Sequence, residues 1–325
     1  MRNVAVIGLG NIAKRHRANL KLIFPNSTIY AMSASGRSIF TEVDDVDKFV
    51  TSIEELLDAQ IEFAVIASPA PFHAESAIKL IENGIPILIE KPVTTNIIDA
   101  HKIQAAQDKY KTSVGIGYCL RFLPSALVMK ERIDSGIIGK PYYCNIEIGQ
   151  FLPDWRPDIN HLKSVSAQPE LGGGVLLELS HELDYAAWFL GDLKLEHAVL
   201  SSSEELGLKV EDTADIMCTT SKNVVANIHL DFLQKNVNRK CRIVGTEGAL
   251  EWDLIQNEVR HISNDNNVSL YCEPKWDKNK MYINMMIDFL KDTGPLQSNV
   301  ASLTDATKTV TLIENIKSRV QIRNI

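Results

Sequence analysis

The chain has 325 residues, 45% of them hydrophobic, enough to bury a substantial core and, at that length, to divide into two domains. A formal net charge of −7, with Lys and Arg scattered and never in a basic block, excludes a nucleic-acid footprint and points to a small-molecule partner. The five cysteines form no C-x-x-C pair, which excludes a zinc ribbon or disulfide scaffold and fits a reducing cytoplasm, and no apolar run approaches the ~20 residues of a membrane span.

From the N-terminus, short β-branched apolar runs at 4–7, 28–32, 62–67, 85–89 and 113–117 predict strands. Helical periodicity at 12–23, 53–58, 73–83 and 97–110 fills the gaps between them. This rhythm predicts an α/β domain over 1–122, a doubly wound parallel sheet covered on both faces. A helix over 125–135, a Gly-Lys-Pro turn at 139–141 and a strand over 142–151 then change the rhythm. Consecutive strands between 193 and 272, among them 210–219, 224–232, 239–244 and 249–254, predict an α+β domain over 123–325 with a large, mostly antiparallel open sheet. Two helices, 282–291 and 303–319, close the chain, and the last is free to pack back on the first domain.

The first strand runs into Gly8-Leu9-Gly10-Asn11-Ile12-Ala13, a G-x-G-x-x-A fingerprint between a predicted strand and a predicted helix. Gly8 permits the tight turn, Gly10 lets backbone approach a pyrophosphate, and Ala13 lets the helix pack closely on the strand; phosphate oxygens would sit at the N-terminal end formed by Asn11 and Ile12. A Rossmann dinucleotide-binding domain follows. The tip of the second strand should carry an acid if the ligand is NAD(H), to accept the ribose 2′-hydroxyl. It offers Ser33, Ser35 and Arg37 instead, donors suited to a 2′-phosphate, so NADP(H) is favoured and NAD(H) is the alternative.

Five further segments follow in order: Ala67-Ser68-Pro69-Ala70-Pro71-Phe72-His73; Glu90-Lys91-Pro92; Gly117-Tyr118-Cys119-Leu120-Arg121-Phe122; Gly172-Gly173-Gly174 leading to a helix that ends Trp188-x-x-Gly191; and Gly245-Thr246-Glu247-Gly248. In order and spacing the chain resembles the Gfo/Idh/MocA (glucose-fructose oxidoreductase/inositol dehydrogenase) family over nearly its whole length, the C-terminal sheet mainly in pattern. The resemblance implies a cleft between two domains holding nicotinamide and a sugar, nucleotide-sugar or cyclitol, with hydride transfer at a hydroxyl or keto carbon. It implies cofactor contacts from Ser68, Pro69, His73, Glu90 and Lys91, and substrate contacts from Tyr118 and Arg121. It makes Lys91 a catalytic residue, an ammonium at a strand's C-terminal end able to hydrogen-bond a substrate oxygen.

His181 and Asp184 follow the glycine run on what reads as one helix over 176–190, their i, i+3 spacing placing them on a shared face. Imidazole suits proton exchange near neutral pH, so His181 is the second catalytic candidate. The sequence departs here from the family's D-x-G-x-H: Glu178 stands for the Asp, three rather than four positions before His181, and Ser180 for the Gly. Glu178 and Asp184 are substrate-binding candidates. So are Trp155, for stacking, and Arg156, for clamping an anion, in the loop 150–157; the alternative for that loop is an aromatic plug against the sheet. Its form, with Leu179-Ser180-His181-Glu182-Leu183-Asp184, looks most like relatives linked to bacterial surface-sugar biosynthesis. A non-catalytic, cofactor-sensing relative is the reading from a different class, and the resemblance also implies a homo-oligomer formed through the open sheet. The histidine spacings predict no metal site.

Overall fold

The computed structural model describes residues 1–35, 43–264, 266–291 and 298–324. The N-terminal third alternates strands and helices: β1 (Asn3–Ile7), α1 (Asn11–Ile23), β2 (Thr28–Met32), β3 (Lys48–Val50), α2 (Ile53–Asp58), β4 (Phe63–Ile66), α3 (His73–Glu82), β5 (Ile87–Ile89), α4 (Ile97–Tyr110) and β6 (Val114–Ile116). Then come α5 (Pro124–Asp134), β7 (Pro141–Gly149), α6 (Val175–Glu178), α7 (His181–Leu190), β8 (Leu193–Ser202), β9 (Thr213–Thr220) and β10 (Val225–Asp231). A meander follows through β11 (Asn238–Gly245), β12 (Gly248–Asp253), β13 (Glu258–Ile262) and β14 (Asn267–Cys272). The chain ends with α8 (Lys280–Leu290), β15 (Ala301–Ser302), α9 (Leu303–Arg319) and β16 (Ile322–Asn324).

Two compact units result, one of Met1–Cys119 with Asn279–Val310, the other of Leu120–Lys278 with Thr311–Ile325. The division differs from a single cut after Phe122 because the chain returns late to the first unit. Phe289 of α8 packs 5.8 Å from Phe63, centroid to centroid, and fills the space over Gly115. β15 pairs antiparallel with β6, covering what would be an open edge, and Leu303, Ala306 and Val310 of α9 join the core. The sheet order of this unit is β15-β6-β5-β4-β1-β2-β3, parallel but for β15. Its central strands are buried on both faces, as in Val4, Ala5, Val6 and Ile7 and in Phe63, Ala64, Val65 and Ile66, which is why they read as unbroken apolar runs. β1 and β4 lie side by side while their connections run to opposite edges, so the strand order reverses between their C-terminal ends, the place where such sheets hold ligands. The short edge strand β3 carries too little apolar pattern to be read from sequence.

The second unit is built on a nine-stranded sheet, β14-β13-β12-β11-β7-β10-β9-β8-β16, antiparallel except at β7–β10 and β8–β16. Alternation is clean: Cys144, Ile146 and Ile148 of β7 point into the core, and Tyr143, Asn145 and Glu147 lie opposite. Register aligns Asp253, Lys240, Glu147, His229 and Asp215 as one row across five strands of that outer face, with charges alternating in sign. His229 sits between two carboxylates, Nδ1 2.7 Å from Asp215 and Nε2 3.1 Å from Asp231. The bond to Asp231, with Asp215 adding to it against the cost of burial, raises the imidazole to about 9. A raised value means the imidazolium stabilises the fold fully below its ordinary value near 6.5 and loses that contribution as pH climbs through about 9. The melting temperature of wild type is therefore expected to exceed that of His229→Gln most at pH 6 and to match it by pH 10; a constant difference across that range would sink the assignment.

Candidate active site

The turn after β1 comes first, because the fold requires only one of its two glycines. Gly8 has φ +125°, and a Cβ there would strike the Ala67 carbonyl and lie 2.8 Å from the Ser68 nitrogen. Gly10 is different. Its backbone is extended (φ −72°, ψ −178°), open to any residue, and a Cβ would meet nothing within 4 Å among the described residues. Gly10 is also the N-cap of α1, where no side chain caps the helix and no acid stands in the first turn, so the positive end of the helix is left open beside exposed Gly10 and Asn11. Ala13 is fully buried on the helix face turned to the sheet. The turn therefore fits a pyrophosphate, with Asn11 and Ile12 supplying the first helical N–H groups.

At the end of β2, Ser33 is buried and its Oγ lies 3.1 Å from that of Ser35. Arg37, the third 2′-phosphate candidate, lies outside the described residues. The structure adds three charges that the sequence did not single out. Lys14 pairs with Asp44, and buried Arg17 donates from Nε to the Asp44 carbonyl and from Nη1 to the Gly8 carbonyl at 3.4 Å, so α1 ties the glycine turn to the segment entering β3.

The loop after β4 presents Ser68, whose Oγ is buried with no hydrogen-bond partner among the described residues, next to the glycine turn; Pro69 leads from it into a short 3-10 turn. His73, expected at the cofactor, has both ring nitrogens at backbone carbonyls instead, Nε2 2.7 Å from Ser68 O and Nδ1 3.1 Å from Val93 O. Burial pulls its imidazole below the ordinary value, against the pull of the two carbonyls, and the ring bridges the Ser68 loop and the segment after Lys91. Tyr118 likewise belongs to the hydrophobic cluster of the first unit, 1% exposed, so its ring serves the core.

Glu90 and Lys91 follow β5 directly, at the C-terminal edge of the sheet, and the Lys91-Pro92 peptide is cis. Glu90 is 6% exposed and its Oε1 lies 2.6 Å from Nε2 of His16, a residue of α1 missed in the sequence. The signal was available: Ala13, His16, Arg17, Asn19 and Leu20 form the buried side of α1, and its three polar members each need a partner.

In the second unit the glycine run leads to α6, but the helix expected over 176–190 is broken. The single turn of α6 ends at Leu179, and His181 opens a new helix, α7, so Glu178 and His181 do not share one helix face. The short α6 is anchored to its surroundings at both ends. Val175 N–H donates to the Glu211 carbonyl, Glu211 Oε1 receives Lys317 of α9 at 3.2 Å, and Ser166 Oγ donates to Glu178 Oε2 at 2.9 Å. His181 and Asp184 keep their i, i+3 relation on α7, but Asp184 is 2% exposed and bound in fork fashion by Arg121, Nη2 to Oδ1 at 2.7 Å and Nε to Oδ2 at 2.9 Å. Arg121 is 4% exposed and stands over the Trp188 ring, 5.4 Å from its centroid. The structure therefore places these two substrate candidates in an internal ion pair that carries α7. Trp155 packs edge-on against Phe232 at 5.4 Å, the plug arrangement, whereas Arg156 is exposed. Among the described residues no cluster of three metal-ligating side chains occurs, and no helix is long and apolar enough to cross a membrane.

Comparison with known proteins follows this division. A model described as an oxidoreductase family with an NAD-binding Rossmann fold, GFO/IDH/MocA, matches residues 2–118, and the GFO/IDH/MocA C-terminal domain matches residues 127–251. A 1,5-anhydro-D-fructose reductase of Ensifer adhaerens is 28% identical over 69% of this chain and 66% of its own length. A scyllo-inositol 2-dehydrogenase (NAD(+)) of Bacillus subtilis is 30% identical over 58% of this chain and 53% of its own. The chain thus aligns with just under two thirds and about half of these two relatives. Among solved structures, a levoglucosan dehydrogenase in complex with NADH superposes with a TM-score of 0.81 at 20% identity, covering 98% of this chain and 96% of that one, a likeness of fold.

Proposed function

Because this chain belongs to the GFO/IDH/MocA oxidoreductase family, we propose that it moves a hydride between a nicotinamide cofactor and a hydroxyl or keto carbon of a sugar, nucleotide-sugar or cyclitol. The observation that carries this reading is Gly10: the fold does not need glycine there, so the approach of a ligand accounts for it. The orphaned Ser68 Oγ beside that turn supplies a polar atom to the same ligand.

When bound, the cofactor supplies the hydride acceptor or donor; the chain's own residues handle the proton. Lys91 holds or releases it at Nζ as a substrate oxygen gains or loses charge, and His181, at the first position of α7, is the second proton-handling group. Glu178, half-buried and held by Ser166, binds a substrate hydroxyl in the role of the family's Asp, with Arg156 a second contact. Ser33 and Ser35 support NADP(H) over NAD(H), since no acid follows β2 directly; the NAD(H) alternative draws on Asp44, brought near α1 by Lys14. The working form in this reading is a homo-oligomer using the outer face of the large sheet, where Tyr143, Val225 and Met217 are exposed among the charges.

The test is titration with NADPH and NADH by nicotinamide fluorescence, followed by a panel of keto sugars, nucleotide-linked sugars and inositols under excess cofactor. Gly10→Val is expected to weaken cofactor binding by at least about tenfold, a loss of ~1.4 kcal/mol, while the melting temperature stays within roughly 2 °C of wild type. Equal binding by the variant would remove the argument from Gly10. Binding without turnover of any panel member would favour a cofactor sensor.

A further inference from the structure

His16 is 0% exposed, and its one hydrogen bond among the described residues is to Glu90; its Nδ1 is buried without a partner. Such a group is costly. A leucine in that slot would fill the volume without the desolvation of an imidazole and a carboxylate, and buried ionisable pairs commonly add less stability than an apolar replacement. The pair therefore has to be explained by what Glu90 does next. One carboxylate oxygen faces His16 and the other accepts the backbone N–H of Lys91 at 3.2 Å. Glu90 is itself fixed by its own N–H to the Ile66 carbonyl at 2.8 Å, and its side chain lies over Gly117, where a Cβ would come within 3.0 Å of Oε2. Tyr282 closes the far side of the imidazole edge-on at 5.9 Å, with Arg15 over that ring at 4.8 Å.

We propose that His16 is a positioning residue for Lys91, acting through the Glu90 carboxylate to set the peptide from which the Lys91 side chain leaves the sheet. This rests on the reading of Lys91 as the proton-handling group. The imidazole occupies one carboxylate oxygen and so keeps the other on the Lys91 N–H. Without it that oxygen is released, the Glu90 carboxylate is free to turn away from the Lys91 N–H, and the ammonium is less well aimed.

The experiment compares His16→Leu, His16→Gln, in which the amide nitrogen takes the place of Nε2, and Lys91→Ala. In the cofactor-free protein, deuterium labelling of backbone amides, read by peptide mass mapping with fragmentation, gives the protection of the Lys91 N–H that Glu90 accepts, with the amides of α4 as internal control. Protection of the Lys91 N–H is expected to fall by at least about tenfold in His16→Leu and to return in His16→Gln, with α4 unchanged. With cofactor and a turned-over substrate, His16→Leu is expected to lower kcat by about 10- to 100-fold while KM and cofactor affinity change less than about threefold. Unchanged labelling and unchanged kcat in His16→Leu, alongside an inactive Lys91→Ala, overturn the positioning role. Full turnover in Lys91→Ala instead removes the proton-transfer reading, and the labelling arm then decides alone whether His16 acts on Lys91. Should His16→Leu fail to fold, His16→Asn, polar but too short to reach Glu90, takes its place in both arms.

Discussion

Lys91→Ala is expected to lower kcat by about 10²- to 10⁴-fold on any substrate the protein turns over, the range in which a positioned acid or base contributes. The placement of Lys91 gives the reason: it follows β5, a strand beside β4, at the C-terminal edge of the sheet where the strand order reverses nearby. Cofactor binding should survive, because the pyrophosphate turn of Gly8, Gly10 and Asn11 lies on a different segment, between β1 and α1. Stopped-flow measurement of nicotinamide absorbance with wild type and variant, each saturated with cofactor, separates the two effects. A variant within about threefold of wild type would dismiss Lys91 from the chemistry and shift attention to His181.

Asp184→Leu is expected to cost about 3–5 kcal/mol of folding stability, a large share of the 5–15 kcal/mol that typical domains possess. The cost arises because Arg121, 4% exposed, would keep its charge inside the second unit without the carboxylate that faces it at 2.7 and 2.9 Å. The double variant Arg121→Met/Asp184→Leu should recover much of the loss, since an apolar pair of similar volume carries no stranded charge. Urea unfolding of the four proteins of this cycle measures the coupling. If Asp184→Leu cost less than about 1 kcal/mol, the pair would not be the internal support of α7, and direct contact of Asp184 with a ligand would return as its role.

The same pair shows where sequence reading stops. All but the short β3 and β15 of the first unit's strands and helices were legible because each carries its own pattern: the helices over Ile53–Asp58 and Ile97–Tyr110 are found where the pattern places them, as is Leu303–Arg319, which runs on into the second unit. The glycine fingerprint and the Glu90-Lys91-Pro92 segment were legible for the same reason, being local in the chain. What could not be read are partnerships between distant residues: Arg121 with Asp184, His16 with Glu90, and Asn19 with Asn279. Each converts a residue that looks available for a ligand, or merely polar, into part of the interior. The break between α6 and α7 goes with contacts of this class, those of Glu211 and Ser166 with α6, neither of which lies on the helix they hold. The return of Asn279–Val310 to the first unit is a matter of topology, and the apolar positions of α8 show only that it is buried, not against what.

That return has a consequence for synthesis. Most of the first unit is made by the time Cys119 is reached, yet β6, paired with β5 on one side, gains its second neighbour only when Ala301 and Ser302 have been made. At about 5–20 residues per second, the nascent sheet waits roughly 10–40 s with that edge unpaired, while β7 to β14 of the second sheet are translated behind it. A ribosome pausing within that interval prolongs the exposure of a ready template for another nascent chain, so the yield of this protein in a cell should depend on the pace of translation across its second half as well as on the stability of the finished fold.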